Sequence, residues 1–306
     1  MSIVGFVGLG TMGGRIAGRL LAAGHELHGT NRTRAKAEPL IERGLRWQAT
    51  PRDVAAVADV VFSMVSDDAA LEAIATGPQG IVTGLAPGKV WVDMSTVSPE
   101  ASVTIAERVR SIGARMLDAP VSGSVPQAER GSLTIMVGGE EAAFGLVEPL
   151  LRELGRTVTR VGENGQGLLL KLALNISLAV QTLAFSEGLL LAERGGIDPE
   201  LAARVMGESS IGSPMLETRL PMLLDLPKSA WFDVELMQKD IRLALQAATR
   251  LRLALPSAET ANDILAKARE LGYGERDIAA LHEVLGRLGG TATDEHLRGE
   301  PALARA

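Results

Sequence analysis

Cysteine is absent from all 306 residues. That one absence excludes disulfides, thiolate nucleophiles and thiolate metal sites together. Histidine is scarce. His25, His28, His282 and His296 are the four present, and their spacing suits no metal ion, so none is expected. His25 and His28 flank one short segment, where surface placement is expected. Positive charge is not in excess either. A net charge of −6 argues against nucleic acid as a partner, which would call for a basic face. It leaves room for a local basic pocket that takes a phosphate or a carboxylate. No internal repeat or low-complexity tract occurs. The N-terminal Met1-Ser2-Ile3-Val4-Gly5-Phe6 carries neither a basic n-region nor a small-residue cleavage site. No signal peptide is read there, and a cytoplasmic protein is expected. The longest apolar stretch, Leu168 to Phe185, is interrupted by Lys171, Asn175 and Gln181. It is therefore expected as a buried helix between domains, not as a membrane span.

What is present is a chain with a substantial core. Its hydrophobic fraction is 46% and its charged fraction 22%, and its length suits about two domains. The first half alternates two kinds of segment. Short apolar runs (Ile3 to Val7, Glu26 to Thr30, Val60 to Val65, Lys89 to Asp93, Arg115 to Asp118, Leu133 to Val137, Thr157 to Val161) read as strands. Helical patterns lie between most of them, and Ser98-Pro99-Glu100 opens one with an N-cap serine and a first-turn proline. The pattern predicts an α/β Rossmann-type doubly wound sheet, mostly parallel. Such sheets bind ligands beyond the carboxyl ends of their strands.

The motifs fall at those ends. Gly8-Leu9-Gly10-Thr11-Met12-Gly13 follows the first strand and opens a helix, the context that a dinucleotide fingerprint requires. Gly8 permits the turn, Gly10 lets backbone approach a pyrophosphate, and Gly13 lets helix and strand pack closely. The helix N-terminus supplies N–H groups and a positive dipole end. After the second strand stands Asn31-Arg32-Thr33-Arg34, where an NAD site usually carries Asp or Glu for the ribose 2′-hydroxyl. Asn31 does not repel a 2′-phosphate, Arg32 can pair with it and Thr33 can donate to it. NADP(H) is thus expected as the preferred cofactor, with NAD(H) also admitted.

Beyond Gly162-Glu163-Asn164 the strand signals stop. An all-α domain follows, with one helix from Gly165 to about Arg194 and further helical patterns at 199–206, 233–253, 258–271 and 276–288. The expected division is a cofactor domain at 1–163, a helical substrate and dimerisation domain at 164–292, and a frayed tail at 293–306. Lys171 and Asn175 lie one turn apart on the long helix and point to one side. An ammonium on so apolar a helix either snorkels to water or is held for a purpose. Beside a dinucleotide site, that purpose is proton exchange with a substrate oxygen. A free lysine, with pKa ≈ 10.4, is a poor base at neutrality; desolvation, and a second ammonium from Lys239, would lower it.

Five pieces in this order resemble the β-hydroxyacid dehydrogenases. They are Gly-Leu-Gly-Thr-Met-Gly at the start, Met94-Ser95-Thr96-Val97-Ser98-Pro99, Asp118-Ala119-Pro120-Val121-Ser122-Gly123-Ser124, Gly165-Gln166-Gly167 through Lys171 to Asn175, and Lys239-Asp240. That family includes 3-hydroxyisobutyrate dehydrogenase, tartronate semialdehyde reductase and glyoxylate/succinic semialdehyde reductase. The resemblance implies a Rossmann domain, an all-α domain and an active site in the cleft between them. It implies Lys171 as catalytic acid/base, assisted by Asn175. Ser122, Gly123 and the position of Ser124 would hold a substrate carboxylate. Thr96 would stand by the nicotinamide, Met64, Val65 and Ser66 would line the cofactor, and Lys239 would reach cofactor or substrate. The family's usual loop is Ser-Gly-Gly, so Ser124 is a departure that bears on the choice of substrate. The implied reaction is hydride transfer between nicotinamide and a small β-hydroxy acid or its semialdehyde, in a homodimer or homotetramer. The alternatives are an imine reductase of the same architecture, in which another proton donor commonly replaces the lysine, and a non-catalytic cofactor-bound interaction module. A 6-phosphogluconate dehydrogenase fits less well, because the chain is short for one and its second half shows no phosphate-binding cluster.

Overall fold

The computed structural model describes residues 2–299, and side chains as far as residue 290. The chain divides into two compact units, one ending at Leu174 and one beginning at Asn175.

The first unit is built on one nine-stranded sheet. Its strands are β1 (Ile3–Val7), β2 (Glu26–Thr30), β3 (Arg46–Trp47), β4 (Val60–Ser63), β5 (Val90–Asp93), β6 (Arg115–Asp118), β7 (Val121–Ser122), β8 (Leu133–Gly138) and β9 (Gly155–Gly162). The order is β3-β2-β1-β4-β5-β6-β8-β7, with β9 added beside β8. From β3 to β6 every neighbour is parallel. β8 then meets β6 antiparallel at Asp118 and Gly138, and β9 runs parallel to β8. The order reverses between β1 and β4, which is where a doubly wound sheet opens its ligand crevice.

Alternation of side chains sends each strand to two cores. Val4, Phe6, Phe62 and Val92 join Ile16 and Leu20 of the helix Thr11–Ala22 on one face. Val7, Val61 and Trp91 join Val54, Ile105 and Val109 on the other. Phe6 and Phe62 stack at 6.2 Å between ring centroids, and Trp91 is fully buried. Side chains of this size contribute about 2–3 kcal/mol each on burial. The expectation that His25 and His28 lie at the surface is corrected. His28 is only 7% exposed, held by Glu26 at 3.0 Å and Gln48 at 2.8 Å, because its position on β2 points inward.

Parallel pairing continues one residue past the strands. Gly8 N donates to Thr30 O, Met64 N to Val7 O, Met94 N to Ser63 O and Ala119 N to Asp93 O, at 2.7–3.0 Å. The segments after β1, β4, β5 and β6 are therefore laced side by side along one edge.

The long helix Gln166–Arg194 starts at that edge. Asp118, the last residue of β6, accepts from Gly165 N at 2.7 Å and Leu168 N at 3.0 Å, one with each oxygen. It thus acts as a remote cap for N–H groups that no intrahelical carbonyl can satisfy. Close approach depends on glycines. A Cβ at Gly167 would lie 2.6 Å from Met136 O, and one at Gly138 would lie 2.7 Å from either Asp118 oxygen. The helix is long and apolar enough to cross a membrane by length and composition, yet close to half of its most apolar window is buried. It is less enclosed than the sequence suggests, since Leu169, Leu170, Leu174 and Leu191 are exposed.

The second unit is helical. The rest of the long helix is followed by helices Pro199–Glu208, Pro214–Leu224, Val234–Arg250, Pro256–Glu270 and Leu281–Gly299. Asp198, Ser213 and Asp233 cap three of them through side chains. Of the tail expected from Thr293, residues 300–306 lie outside the described residues. Asp277, fully buried, accepts from Arg219, from the backbone N–H groups of Trp231 and Phe232, and from Ala279 N.

Asp118→Ala leaves two buried N–H groups without an acceptor, and urea unfolding should show a loss of about 2 kcal/mol. Asp118→Asn keeps an amide oxygen in place and should lose less.

Candidate functional site

The residues of the glycine loop have separate reasons for being glycine. Gly8 has φ +96°, and its Cβ would sit 2.2 Å from Met64 O. A Cβ on Gly13 would sit 2.0 Å from Gly8 O. The fold itself demands both. Gly10 is different. Its φ is −78°, which any residue adopts, and a Cβ there would meet nothing within 4 Å. Neither conformation nor packing requires glycine at 10. Approach by a ligand would, and the open space there has room for a pyrophosphate at the start of the helix Thr11–Ala22. Leu9 is buried, while Thr11 is exposed and Met12 half-buried. Leu9 N donates to Asn31 Oδ1 at 3.0 Å, and Asn31 Nδ2 donates to Thr33 O at 2.9 Å. Asn31 therefore ties the loop after β1 to the end of β2.

The two neighbouring arginines divide. Arg34 stacks over Trp47 at 5.4 Å and pairs with Glu38 at 3.2 Å. Arg32 and Thr33 are exposed, and among the described residues no ion pair occupies the Arg32 guanidinium. A cavity of about 440 Å³ also opens beside Gly10, along the outer face of the same helix. Its cations are largely engaged: Arg15 with Glu129, Arg43 with Gly18 O and Arg19 with Glu153 O.

Across the crevice, Met64 and Val65 are half-buried and Ser66 is exposed. Ser66 Oγ donates to Asp67, which caps the helix Asp68–Ala75. Thr96 is half-buried after β5. Beneath these segments lies Asp93, with no exposed surface. Burial pushes its carboxyl up to about 6, against hydrogen bonds from Ser63 and Ser95 that pull it down, and Asp118 raises it further. Asp118 is the partner of Asp93 in the β5–β6 register. Burial raises the Asp118 carboxyl as well, opposed by the N–H groups of Gly165 and Leu168.

Gly123, with φ +122°, turns the chain after β7, where a Cβ would meet Leu133 at 2.9 Å and Gln127 at 3.0 Å. Ser122 and Ser124 are half-buried. The N–H and hydroxyl of Ser124 both donate to Gln127 Oε1 at 3.1 Å. Ser124 thus opens the helix Val125–Arg130, and its donors are used in doing so.

Lys171 is half-buried in the second turn of the long helix, one turn beyond the Leu168 N–H that Asp118 holds. The lysine therefore belongs to the same unit, and its helix starts at the same sheet edge, as the glycine loop. In the second unit Asn175 is 2% exposed and donates to Asp240 Oδ2 at 2.5 Å. Lys239 Nζ lies 2.9 Å from Asp240 Oδ1. A carboxylate can only accept, so the Asn175 amide nitrogen faces Asp240 and its carbonyl oxygen points elsewhere. Reading the sequence alone, one assigns no role to Asp93, Asp118 or Asp240. Their position at strand ends or beside a motif lysine is the signal that marks them. Among the described residues no group of three or more His, Asp or Glu side chains could hold a metal ion.

Comparison with known proteins gives this geometry a family. Residues 3–162 match the NAD binding domain of 6-phosphogluconate dehydrogenase, and residues 165–285 match the NAD-binding domain of NADP-dependent 3-hydroxyisobutyrate dehydrogenase. The chain is 33% identical to glyoxylate/succinic semialdehyde reductase 2 of Arabidopsis thaliana, over 92% of this chain and 79% of that one. It is 37% identical to 2-hydroxy-3-oxopropionate reductase of Escherichia coli, over 92% and 96%. The crystal structure of 3-hydroxyisobutyrate dehydrogenase from Salmonella typhimurium superposes with a TM-score of 0.85 at 30% identity, covering 93% of this chain and 100% of that one. The chain belongs to the β-hydroxyacid dehydrogenase family. It is an NAD(P)-dependent oxidoreductase of the class that acts on CH–OH groups.

Gly10→Ala should fold with an unchanged melting temperature while weakening dinucleotide binding by more than about tenfold, because the methyl group occupies the ligand's space. Gly8→Ala should lower the melting temperature as well. Thermal melts and nicotinamide fluorescence titrations separate the two.

Proposed function

We propose that the protein reduces a small carboxylate-bearing aldehyde to its hydroxy acid, with NADP(H) preferred over NAD(H) and Lys171 as the general acid. In the oxidative direction the same lysine is the general base. The carrying observation is the anchoring of the Lys171 helix by Asp118 at the sheet edge that also bears the glycine loop. When bound, the nicotinamide supplies or takes the hydride. The Lys171 ammonium gives its proton to the carbonyl oxygen as that oxygen gains charge, so the new group leaves as a neutral hydroxyl. Ser122 and the N–H of Gly123 hold the carboxylate. The position of Ser124 shapes this loop, while its own donors stay on Gln127. Asn175, four residues beyond Lys171, assists with an amide whose orientation Asp240 fixes. Lys239 adds a cation for cofactor or substrate, and Thr96 lies toward the nicotinamide.

Support for NADP(H) is the contrast between Arg34, engaged by Trp47 and Glu38, and exposed Arg32 beside Thr33. A guanidinium free to pair with a 2′-phosphate favours NADP by charge-assisted hydrogen bonds. Support for a homodimer or homotetramer is the apolar surface of the second unit, where Leu191 is 77%, Val205 57% and Ile211 64% exposed. Large apolar side chains on a surface suit a contact with a second copy where they adjoin.

Absorbance assays with NADPH and NADH test the reading against glyoxylate, succinic semialdehyde and a cyclic imine. NADPH-dependent reduction of the aldehydes is expected. Lys171→Ala should lower kcat/KM by about 10³-fold with NADPH affinity retained; undiminished turnover in that variant removes the lysine from the mechanism. Arg32→Ala should erase about tenfold of the preference for NADPH, and equal use of both cofactors by the unaltered protein refutes that preference.

A further inference from the structure

Five polar groups of the first unit form one hydrogen-bonded chain beneath the cofactor-lining segments. Trp91 Nε1 donates to Ser63 Oγ at 2.7 Å, and Ser63 Oγ donates to Asp93 Oδ1 at 2.6 Å. From the other side, Val65 N donates to Ser95 Oγ at 2.9 Å, and Ser95 Oγ donates to the same Asp93 oxygen at 2.7 Å. The directions are fixed, because the indole and the backbone amide can only donate. Ser63, Asp93 and Ser95 have no exposed surface.

The two branches end in different places. The Trp91 branch stays within β4 and β5. The Ser95 branch reaches the first turn after β4, where Val65 stands. A hydroxyl has one proton. Spending it on Asp93 turns a lone pair of Ser95 toward Val65 and gives that amide its acceptor. The segment so held presses on the glycine loop, since Met64 O is the atom a Cβ on Gly8 would strike at 2.2 Å. The arrangement is expensive. Asp93 Oδ2 has no hydrogen-bond partner, and Asp118 lies directly across in the register. A buried carboxylate of this kind costs more than an apolar side chain of the same shape would.

We infer that Asp93 is a positioning residue for the dinucleotide: acting through Ser95, it fixes the Val65 amide and so the surface that residues 64–66 and Thr96 jointly present to the cofactor. The inference rests on the reading of those segments as cofactor-lining. It makes the two serines unequal, although both donate to one oxygen. Ser95 carries alignment of the site. Ser63 carries only packing around Trp91.

The test compares Ser95→Ala, Ser63→Ala, Asp93→Ala and Asp93→Asn in the full-length protein. The readouts are NADPH binding by nicotinamide fluorescence, steady-state kinetics and thermal melts. Ser95→Ala should raise the Kd and KM for NADPH about tenfold, the effect of orphaning one half-buried amide, with kcat at saturation within about threefold. Ser63→Ala should lower the melting temperature and leave the NADPH Kd unchanged. Asp93→Asn keeps an acceptor oxygen for Ser95 and should restore most of the affinity that Asp93→Ala loses. The inference is overturned if Ser95→Ala binds NADPH like the unaltered protein, or if both serine variants shift affinity alike, as a purely structural network would. Failure of the unaltered protein to bind either dinucleotide would instead refute the cofactor reading itself, and the inference with it. Should Asp93→Ala not fold, the two serine variants, each short of one hydroxyl, still decide the matter.

Discussion

The acceptance of two helix N–H groups by Asp118 is the contact on which the rest of the site depends. It joins the end of a central strand to the start of the helix that carries Lys171, across 47 and 50 residues of sequence. Without it the lysine would sit on a helix whose first turn was free to slide along the sheet edge. The fold surrounds the contact with positions that accept no side chain. Gly138 and Gly167 each approach the carboxylate too closely for a Cβ. An anion at a helix N-terminus is also the favourable electrostatic arrangement. Placement of the lysine is thus a property of the sheet edge, and the helix is its rigid extension.

The carboxylate across the register has a different fate. Asp118 spends both oxygens on N–H groups, whereas Asp93 leaves one bare. Burial raises both carboxyls, and at Asp93 the neighbouring Asp118 adds to the rise. Burial and this neighbour hold the Asp93 carboxyl at about 6, above its ordinary 3.8. The sign of the consequence follows directly. The native state binds more protons than the unfolded one between those values, so this group's contribution to stability falls as pH rises from about 4 through about 6 and is constant above. Below that window the carboxyl is neutral and costs the fold little. Above it, the network beneath residues 64–66 is ionised and its two serine hydroxyls face a full negative charge.

What the sequence shows of this is uneven, and the reason is distance along the chain. The glycine loop, the strand runs that end on polar residues, and the Ser98-Pro99 helix start are local patterns, and the structure has them where the residues suggest. β3 and β7, of two residues each, are too short for periodicity to register. The reversal of direction at β8 is invisible, because a run of apolar residues has the same pattern either way. The helix Pro214–Leu224 escapes notice because Pro214 and Pro221 read as breakers, although the first is a helix-opening residue behind the Ser213 cap. Residues that form a motif are local in sequence. Those that hold the motif in place are not. Asp93 meets Ser63 across 30 residues and Asn175 meets Asp240 across 65. In the sequence only a place at a strand end or beside a motif lysine sets these aspartates apart from solvated ones.

The structure also separates residue pairs that the sequence treats as equals, by asking what the fold already consumes. Arg34 is spent on Trp47 and Glu38, while Arg32 two positions earlier has no such engagement. Ser124 is spent on Gln127. The hydroxyl of Ser122, on the other side of Gly123, has no hydrogen bond within the described residues. Gly13 is filled by Gly8 O, whereas the space beside Gly10 is open. In each pair one member stabilises the protein and the other has its capacity left over, and the surplus members gather at the carboxyl edge of one sheet. A polar group left unsatisfied at a surface costs little, because water serves it. The same group aligned by buried neighbours can serve a ligand with little further loss of freedom. That ordering in advance is what Asn31 does for Leu9, Ser95 for Val65 and Asp118 for the Lys171 helix. Each acts on backbone amides and none need touch a substrate. In this chain the motif segments are thus held by a second set of residues, an asparagine, a serine and an aspartate, that lie outside the conspicuous motif positions or pass unnoticed within them.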